Sequence, residues 1–157
     1  MDTRFILDIK SEDGLERLKA RLVLQGHKDP DLANLVDRGE TVSSTVSGNG
    51  LHLTLQVIAP LRADMCIGGI SGAFCLSGKL DRPEGPLYAN QPPGGLPLPG
   101  VHPEQVIQIV TSLYGLNSAP PAWQKKFRDA VLSTGFVQSK YDENVFLWYD
   151  KGRDGRR

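Results

Sequence analysis

The sequence has no excess of either charge: 18 basic residues stand against 18 acidic ones. A global field that would recruit nucleic acid or an anionic surface is thereby excluded, and any such binding must come from a local patch. Cysteine is almost missing, with only Cys66 and Cys75 present. Two cysteines make neither a disulfide framework nor a metal-ligand spacing, which fits a reducing compartment, and both are expected as small core residues. No apolar run reaches membrane-spanning length, and the start Met1-Asp2-Thr3-Arg4 lacks a signal peptide's basic-then-apolar plan. The expectation is an intracellular, cytoplasmic chain with no membrane partner. Internal repeats and low-complexity tracts are lacking as well.

What is present is a chain of 157 residues, enough to bury a core as one domain. The 17 glycines and 11 prolines point to long ordered loops in a mixed fold. Between Arg4 and Lys10, Phe5, Leu7 and Ile9 alternate with other residues, the period of a half-buried strand. Asp13-Gly14 is a turn that leads into a return strand from Leu15 to Gln25. That strand sets Leu18, Ala20, Leu22 and Leu24 on one face and Arg17, Lys19 and Arg21 on the other. Three cations aimed the same way make either a solvated strand face or a basic ridge suited to phosphates.

Residues 26 to 50 are polar and turn-rich, without sustained periodicity. From Leu51 to Leu61 two periods fit. Leu51, Leu53, Leu55 and Val57 alternate as in a strand, whereas Leu51, Leu55, Ile58 and Leu61 form a helical stripe that Pro60 must end or kink. The stretch Asp64-Met-Cys-Ile-Gly-Gly-Ile-Ser-Gly-Ala-Phe-Cys-Leu-Ser-Gly78 reads as a short buried strand, Met65 to Ile70, turning into one helical turn from Gly72 to Leu76. A central strand that ends in small residues suits the close approach of a ligand or a second backbone; the plainer alternative is a core strand with a tight exit.

A proline-rich loop covers residues 81 to 104, with Leu87 to Asn90 its one strand-like interruption. Val106 to Val110 is a short apolar strand leading into the turn Tyr114-Gly115-Leu116. Ser118 caps a helix over residues 119 to 134, whose first turn holds Pro120 and Pro121, where a missing N–H costs little. Trp123, Phe127, Ala130 and Val131 form its apolar stripe, Lys125, Lys126 and Arg128 its opposite face, and Gly135 its stop. Asn144 to Tyr149 closes the fold as a strand, and residues 151 to 157 form a basic tail.

The 64–78 stretch is followed by Leu87-Tyr-Ala-Asn-Gln-Pro-Pro-Gly-Gly95 and by Ser112-Leu-Tyr-Gly-Leu-Asn-Ser-Ala-Pro-Pro-Ala-Trp123. In that order and at those separations the three blocks resemble the reverse transcriptase domain of copia-type retrotransposon polyproteins, an RNA-directed DNA polymerase. The resemblance covers residues 4 to 149. It implies an α+β fold, the fingers–palm portion of a right-hand polymerase truncated before the Tyr-x-Asp-Asp hairpin. Residues 1 to 150 are then a partial domain with a fingers hairpin at 4–25 and a palm strand and turn at 64–78. The resemblance also favours a helix over 51–61.

Site residues follow from the same resemblance. Lys19-Ala-Arg-Leu-Val23 matches the family's fingers motif letter for letter, which makes Lys19 and Arg21 candidate phosphate contacts. Phe74 falls where the family's aromatic ring lies beneath the incoming sugar and excludes a ribose 2′-hydroxyl. Tyr114 and Gly115 fall on the segment that lies against nucleotide and template. A core phenylalanine and a turn-pinning tyrosine are the plainer alternatives. Near Thr41 to Val46 the family carries a Thr/Ser-Pro segment, and Ser44 stands where the proline is expected. The implied partners are an RNA/DNA primer–template, a dNTP and the remainder of a polyprotein.

The family's chemistry uses two magnesium ions roughly 4 Å apart, held by converging carboxylates. One comes from the first block and two from the Tyr-x-Asp-Asp hairpin. Aligning Ala73-Phe74 puts Gly69 at the first position, and anchoring on Leu76-Ser-Gly78 puts Ile70 there. Neither is a carboxylate. The sequence contains no adjacent aspartate pair. Asp64 lies an odd number of residues before Gly69, on the opposite side of a regular strand, and Asp81 lies beyond the turn. The expectation is no catalytic residue, no metal site and no cofactor, hence an inactive fragment. Two other classes stand beside it. One is a non-catalytic nucleic-acid-binding module that keeps the groove; the other is a decayed remnant whose sheet lacks its closing strands.

Overall fold

A computed structural model describes residues 1–12 and 14–149. The basic tail expected at 151–157 lies outside the described residues. The chain divides into two compact units, one formed by Met1–Val42 with Gly72–Trp123, the other by Ser43–Ser71 with the residues from Gln124 on. Among the described residues helices and strands mix. The strands pair as three two-stranded antiparallel sheets: β1 (Thr3–Glu12) with β2 (Leu15–Leu24), β3 (Leu87–Ala89) with β4 (Ile107–Ile109), and β5 (Val137–Gln138) with β6 (Phe146–Leu147). The α-helices are α1 (Leu32–Asp37), α2 (Gly48–Leu61) and α3 (Ala119–Ser133).

In the first unit, period-two alternation sets the hairpin. Its register pairs Phe5 with Leu22, Leu7 with Ala20 and Ile9 with Leu18 on one face, and Ile6 with Arg21, Asp8 with Lys19 and Lys10 with Arg17 on the other. Gly14, at φ 75°, takes the left-handed conformation that the tight turn needs. Only the base is buried. Thr3 and Leu24 are 3% and 2% exposed, whereas Ile9 and Leu18 near the tip are 64% and 69% exposed. The buried core joins Leu24 to Leu87, Ala89, Ile109, Leu116 and Ala119. Asn90 N–H donates to Met1 O at 2.7 Å and Thr3 Oγ1 donates to Asn90 O at 2.8 Å, so the chain start is tied beside β3.

Side chains, not a ladder, order the proline-rich loop. Buried Gln91 donates from Nε2 to His102 O at 2.6 Å and Gln105 O at 2.8 Å, and accepts from Leu96 N–H at 2.9 Å. Arg82 forms a fork with Asp29, both bonds at 2.8 Å, and reaches Asp31 at 2.6 Å. Its side chain is 4% exposed and that of Asp29 is fully buried. Burial pushes the Asp29 carboxyl upward, but the Arg82 bonds and the Asp31 N–H outweigh it and hold the group below the usual carboxylate range. The buried Arg82 Nε finds no partner among the described residues.

Residues 26 to 50, where the sequence shows no periodicity, carry a 3₁₀ turn at Gly26–Lys28, then α1, then the start of α2. Leu35 is the one buried residue of α1. Fewer than two helical turns leave no stripe to detect, and the anchor here is the Asp29–Arg82 fork.

The largest departure concerns 64–78. Met65 to Ile70 forms no strand, and every residue from 61 to 71 is exposed, Ile67 at 96%. No strand among the described residues pairs with this stretch, so its backbone polar groups have no ladder and stay in water. Gly68 and Gly69 also give it no side chain to pack. Cys66 and Cys75, expected in the core, are both exposed. The turn does form, as a 3₁₀ turn over Ala73–Leu76 entered through Gly72 at φ 64°.

In the second unit the ambiguous stretch is the helix α2. Ser47 caps it by accepting from Gly50 N–H at 2.9 Å, Pro60 lies in its last turn, and Arg62 ends it at φ 48°. None of its residues is buried. The Phe127 ring of α3 meets Phe146 edge-on at 6.2 Å. The helix stops at Gly135, φ 95°, whose N–H donates to Leu132 O at 3.0 Å. The strand expected at 144–149 shrinks to Phe146–Leu147, and Trp148 and Tyr149 are exposed. Ser44 is a hub. Its N–H donates to Gln124 Oε1 at 3.2 Å. Its hydroxyl accepts from Gln124 Nε2 at 2.6 Å and Asn144 Nδ2 at 2.9 Å, and donates to Glu143. A proline at this position would make none of these bonds.

Candidate functional site

The site grows from a crossing of two backbones in the first unit. Leu24 N–H donates to Tyr114 O at 2.8 Å, and Val23 bridges Tyr114 in parallel. Gly115 sits at φ 85°, and a Cβ there would come 2.0 Å from Leu24 O and 2.7 Å from Val23 Cγ1. A Cβ on Gly26 would come 2.1 Å from Gly115 O. Each backbone occupies the space that the other's side chain would need, so the crossing demands glycine twice. Asn117 Nδ2 donates to Gly26 O at 2.9 Å and closes the contact. Gly115 is legible in its sequence block. Gly26 lies in the stretch without pattern, and its constraint comes from a segment far along the chain.

Held by this crossing, Tyr114 meets Phe74 edge-to-face, ring centroids 5.2 Å apart and planes at 66°. Phe74 is partly buried and packs against the core from the 3₁₀ turn. Thr111 Oγ1 braces that turn, within hydrogen-bond distance of Cys75 O and Gly78 O. Phe74, Tyr114 and Gly115 are thus brought together.

Lys19 and Arg21 are not part of that cluster. They stand on the outward face of the hairpin with Arg4, Lys10 and Arg17. Asp8 is the carboxylate described on this face, and Arg21 leans on it at 3.8 Å. Lys19 is exposed. It lies four residues up β2 from Val23, about 13 Å at ~3.3 Å per residue. The link between cations and rings is therefore a single strand. At the foot of the hairpin opens a pocket of about 420 Å³, with Arg4, Gln25, His27, Gly115 and Asn117 in its lining.

The residues present do not fit a pair of magnesium ions. Among the described residues no group of three or more His, Cys, Asp or Glu side chains converges. Gly69 carries no ligand atom, and nothing lies within 4 Å of where its Cβ would be. Asp64 and Asp81 are both exposed.

A family model described as reverse transcriptase (RNA-dependent DNA polymerase) matches residues 1–154. The chain is 32% identical over 144 residues to a retrovirus-related Pol polyprotein from transposon RE1 of Arabidopsis thaliana, covering 91% of this chain and 9% of that protein. It is 29% identical over 133 residues to a retrovirus-related Pol polyprotein from transposon TNT 1-94 of Nicotiana tabacum, covering 85% of this chain and again 9% of the relative. The chain thus spans less than a tenth of the length of these curated relatives. No solved structure matches it significantly.

Proposed function

Because this chain belongs to the reverse transcriptase (RNA-dependent DNA polymerase) family, we propose that it supplies a fingers–palm surface that holds an RNA/DNA primer–template without itself catalysing nucleotide addition. The observation that carries this reading is the one-sided basic hairpin, joined through the Leu24–Tyr114 bond to the Phe74–Tyr114 ring pair. Arg17, Lys19 and Arg21 take backbone phosphates, contacts that position a duplex without reading its sequence. Tyr114 stacks on a base and Phe74 lies beneath the nucleotide sugar, the roles that the family resemblance gives them.

Catalysis requires two hard cations on converging carboxylates, and Gly69 offers no ligand. Incorporation therefore depends on carboxylates that these residues do not hold. That the matched relatives are Pol polyproteins supports a partner in the remainder of such a polyprotein.

The test is a titration of the purified chain with labelled RNA/DNA hybrid at several salt concentrations. Each phosphate contact adds a little under one unit to the logarithmic salt slope, so Lys19→Ala/Arg21→Ala is expected to weaken binding and lower the slope by about two. A slope unchanged in the double variant removes the hairpin from the interface. Nucleotide incorporation by the unmodified chain with magnesium sinks the non-catalytic half of the proposal.

A further inference from the structure

We infer that the pocket at the foot of the hairpin is a subsite for one phosphate of an unpaired strand, so that the surface holds a duplex with a single-stranded extension. The inference rests on the nucleic-acid reading above and adds a second, separable contact to it.

Arg4 has no ion-pair partner among the described residues, whereas Arg21 on the same face is partly neutralised by Asp8. Arg4 pairs with Val23 in the ladder, and both line the pocket. His27 brings an exposed imidazole from the 3₁₀ turn to the same lining. Asn117 has committed Nδ2 to Gly26 O, while its Oδ1 accepts no hydrogen bond among the described residues and is left to take a base N–H. Val23 and Leu24 add apolar surface. A planar guanidinium, an imidazole, an amide oxygen and apolar wall in about 420 Å³ match one phosphate with an adjoining base edge.

A free nucleoside triphosphate shares this phosphate chemistry, but two features favour the strand. The pocket offers one permanent cation where a triphosphate presents several charges. Alternation along the ladder also sets Arg4 on the same face as Arg17, Lys19 and Arg21, so the pocket continues the basic row at the point where β2 ends.

The experiment compares a blunt RNA/DNA hybrid with the same hybrid carrying a short unpaired template extension, by fluorescence anisotropy on the full chain. The extension is expected to tighten binding about tenfold, the size of one charge-assisted hydrogen bond. Arg4→Ala/His27→Ala is expected to erase that gain and leave the blunt affinity in place, with Arg4→Lys restoring part of it. Both side chains are exposed, so the variants keep the core. An extension that gives no gain, or a gain that survives the double variant, overturns the subsite. Displacement of the extension by millimolar dNTP, with blunt binding intact, reassigns the pocket to the free nucleotide and also overturns it. Failure of the broader reading is distinguishable, because it appears on the blunt hybrid itself, as binding that is absent or indifferent to Lys19→Ala/Arg21→Ala.

Discussion

Two glycines carry opposite messages. At Gly115 a methyl group meets Leu24 O at 2.0 Å, and at Gly69 it meets nothing. Gly115→Ala therefore suffers the left-handed backbone penalty, about 1–2 kcal/mol, with the clash added to it. Gly69→Ala is a surface change expected within ~0.5 kcal/mol. Urea unfolding of both variants checks the ranking: a midpoint for Gly115→Ala level with that of Gly69→Ala rules out the backbone crossing. Gly115 stands out in the sequence by its motif, but the reason for it does not, because Leu24 reaches it only in the fold. Gly26 is illegible for the same reason. So is Ser44, visible as a missing proline yet not as the centre of a hydrogen-bond network.

Among the elements, the hairpin was legible because alternation fixes both faces whatever surrounds them. The 65–70 stretch was not, because an apolar run specifies a strand only where another strand offers a ladder. The proline-rich loop shows a third case, an element built by buried polar side chains that composition cannot reveal. Its Arg82–Asp29 fork makes a pH-dependent prediction. The Asp29 carboxyl is held below its ordinary value of 3.8, so its contribution to stability is complete above that pH and fades as pH falls through the lower folded value. Arg82→Met leaves Asp29 buried without its partner and is expected to lose about 3 kcal/mol near neutral pH. Urea midpoints of the two proteins should converge as the pH falls below 3.8. A gap that is constant down to strong acid removes the ion pair as its cause.

At the scale of the whole molecule, family membership was readable from three blocks, whereas the division into two units was not. The second unit is assembled from residues 43–71 and 124 onward, too far apart in the chain for any local signal to join them. The buried residues of the core cluster all belong to the first unit. Amide exchange is therefore expected to be slowest in β3, β4 and the base of the hairpin, and faster in α2, which buries no residue. Protection in α2 equal to that of β3 contradicts this ordering.

The contrast between the crossing and position 69 also bears on how such a sequence ages. Copies of an element that accumulate substitutions at random lose nothing in folding when position 69 changes, whereas neither glycine of the crossing can be exchanged before the other. Selection for a stable chain therefore preserves the scaffold and is blind to the vanished carboxylate. In this lineage the chemistry is erased first, and the architecture outlives it.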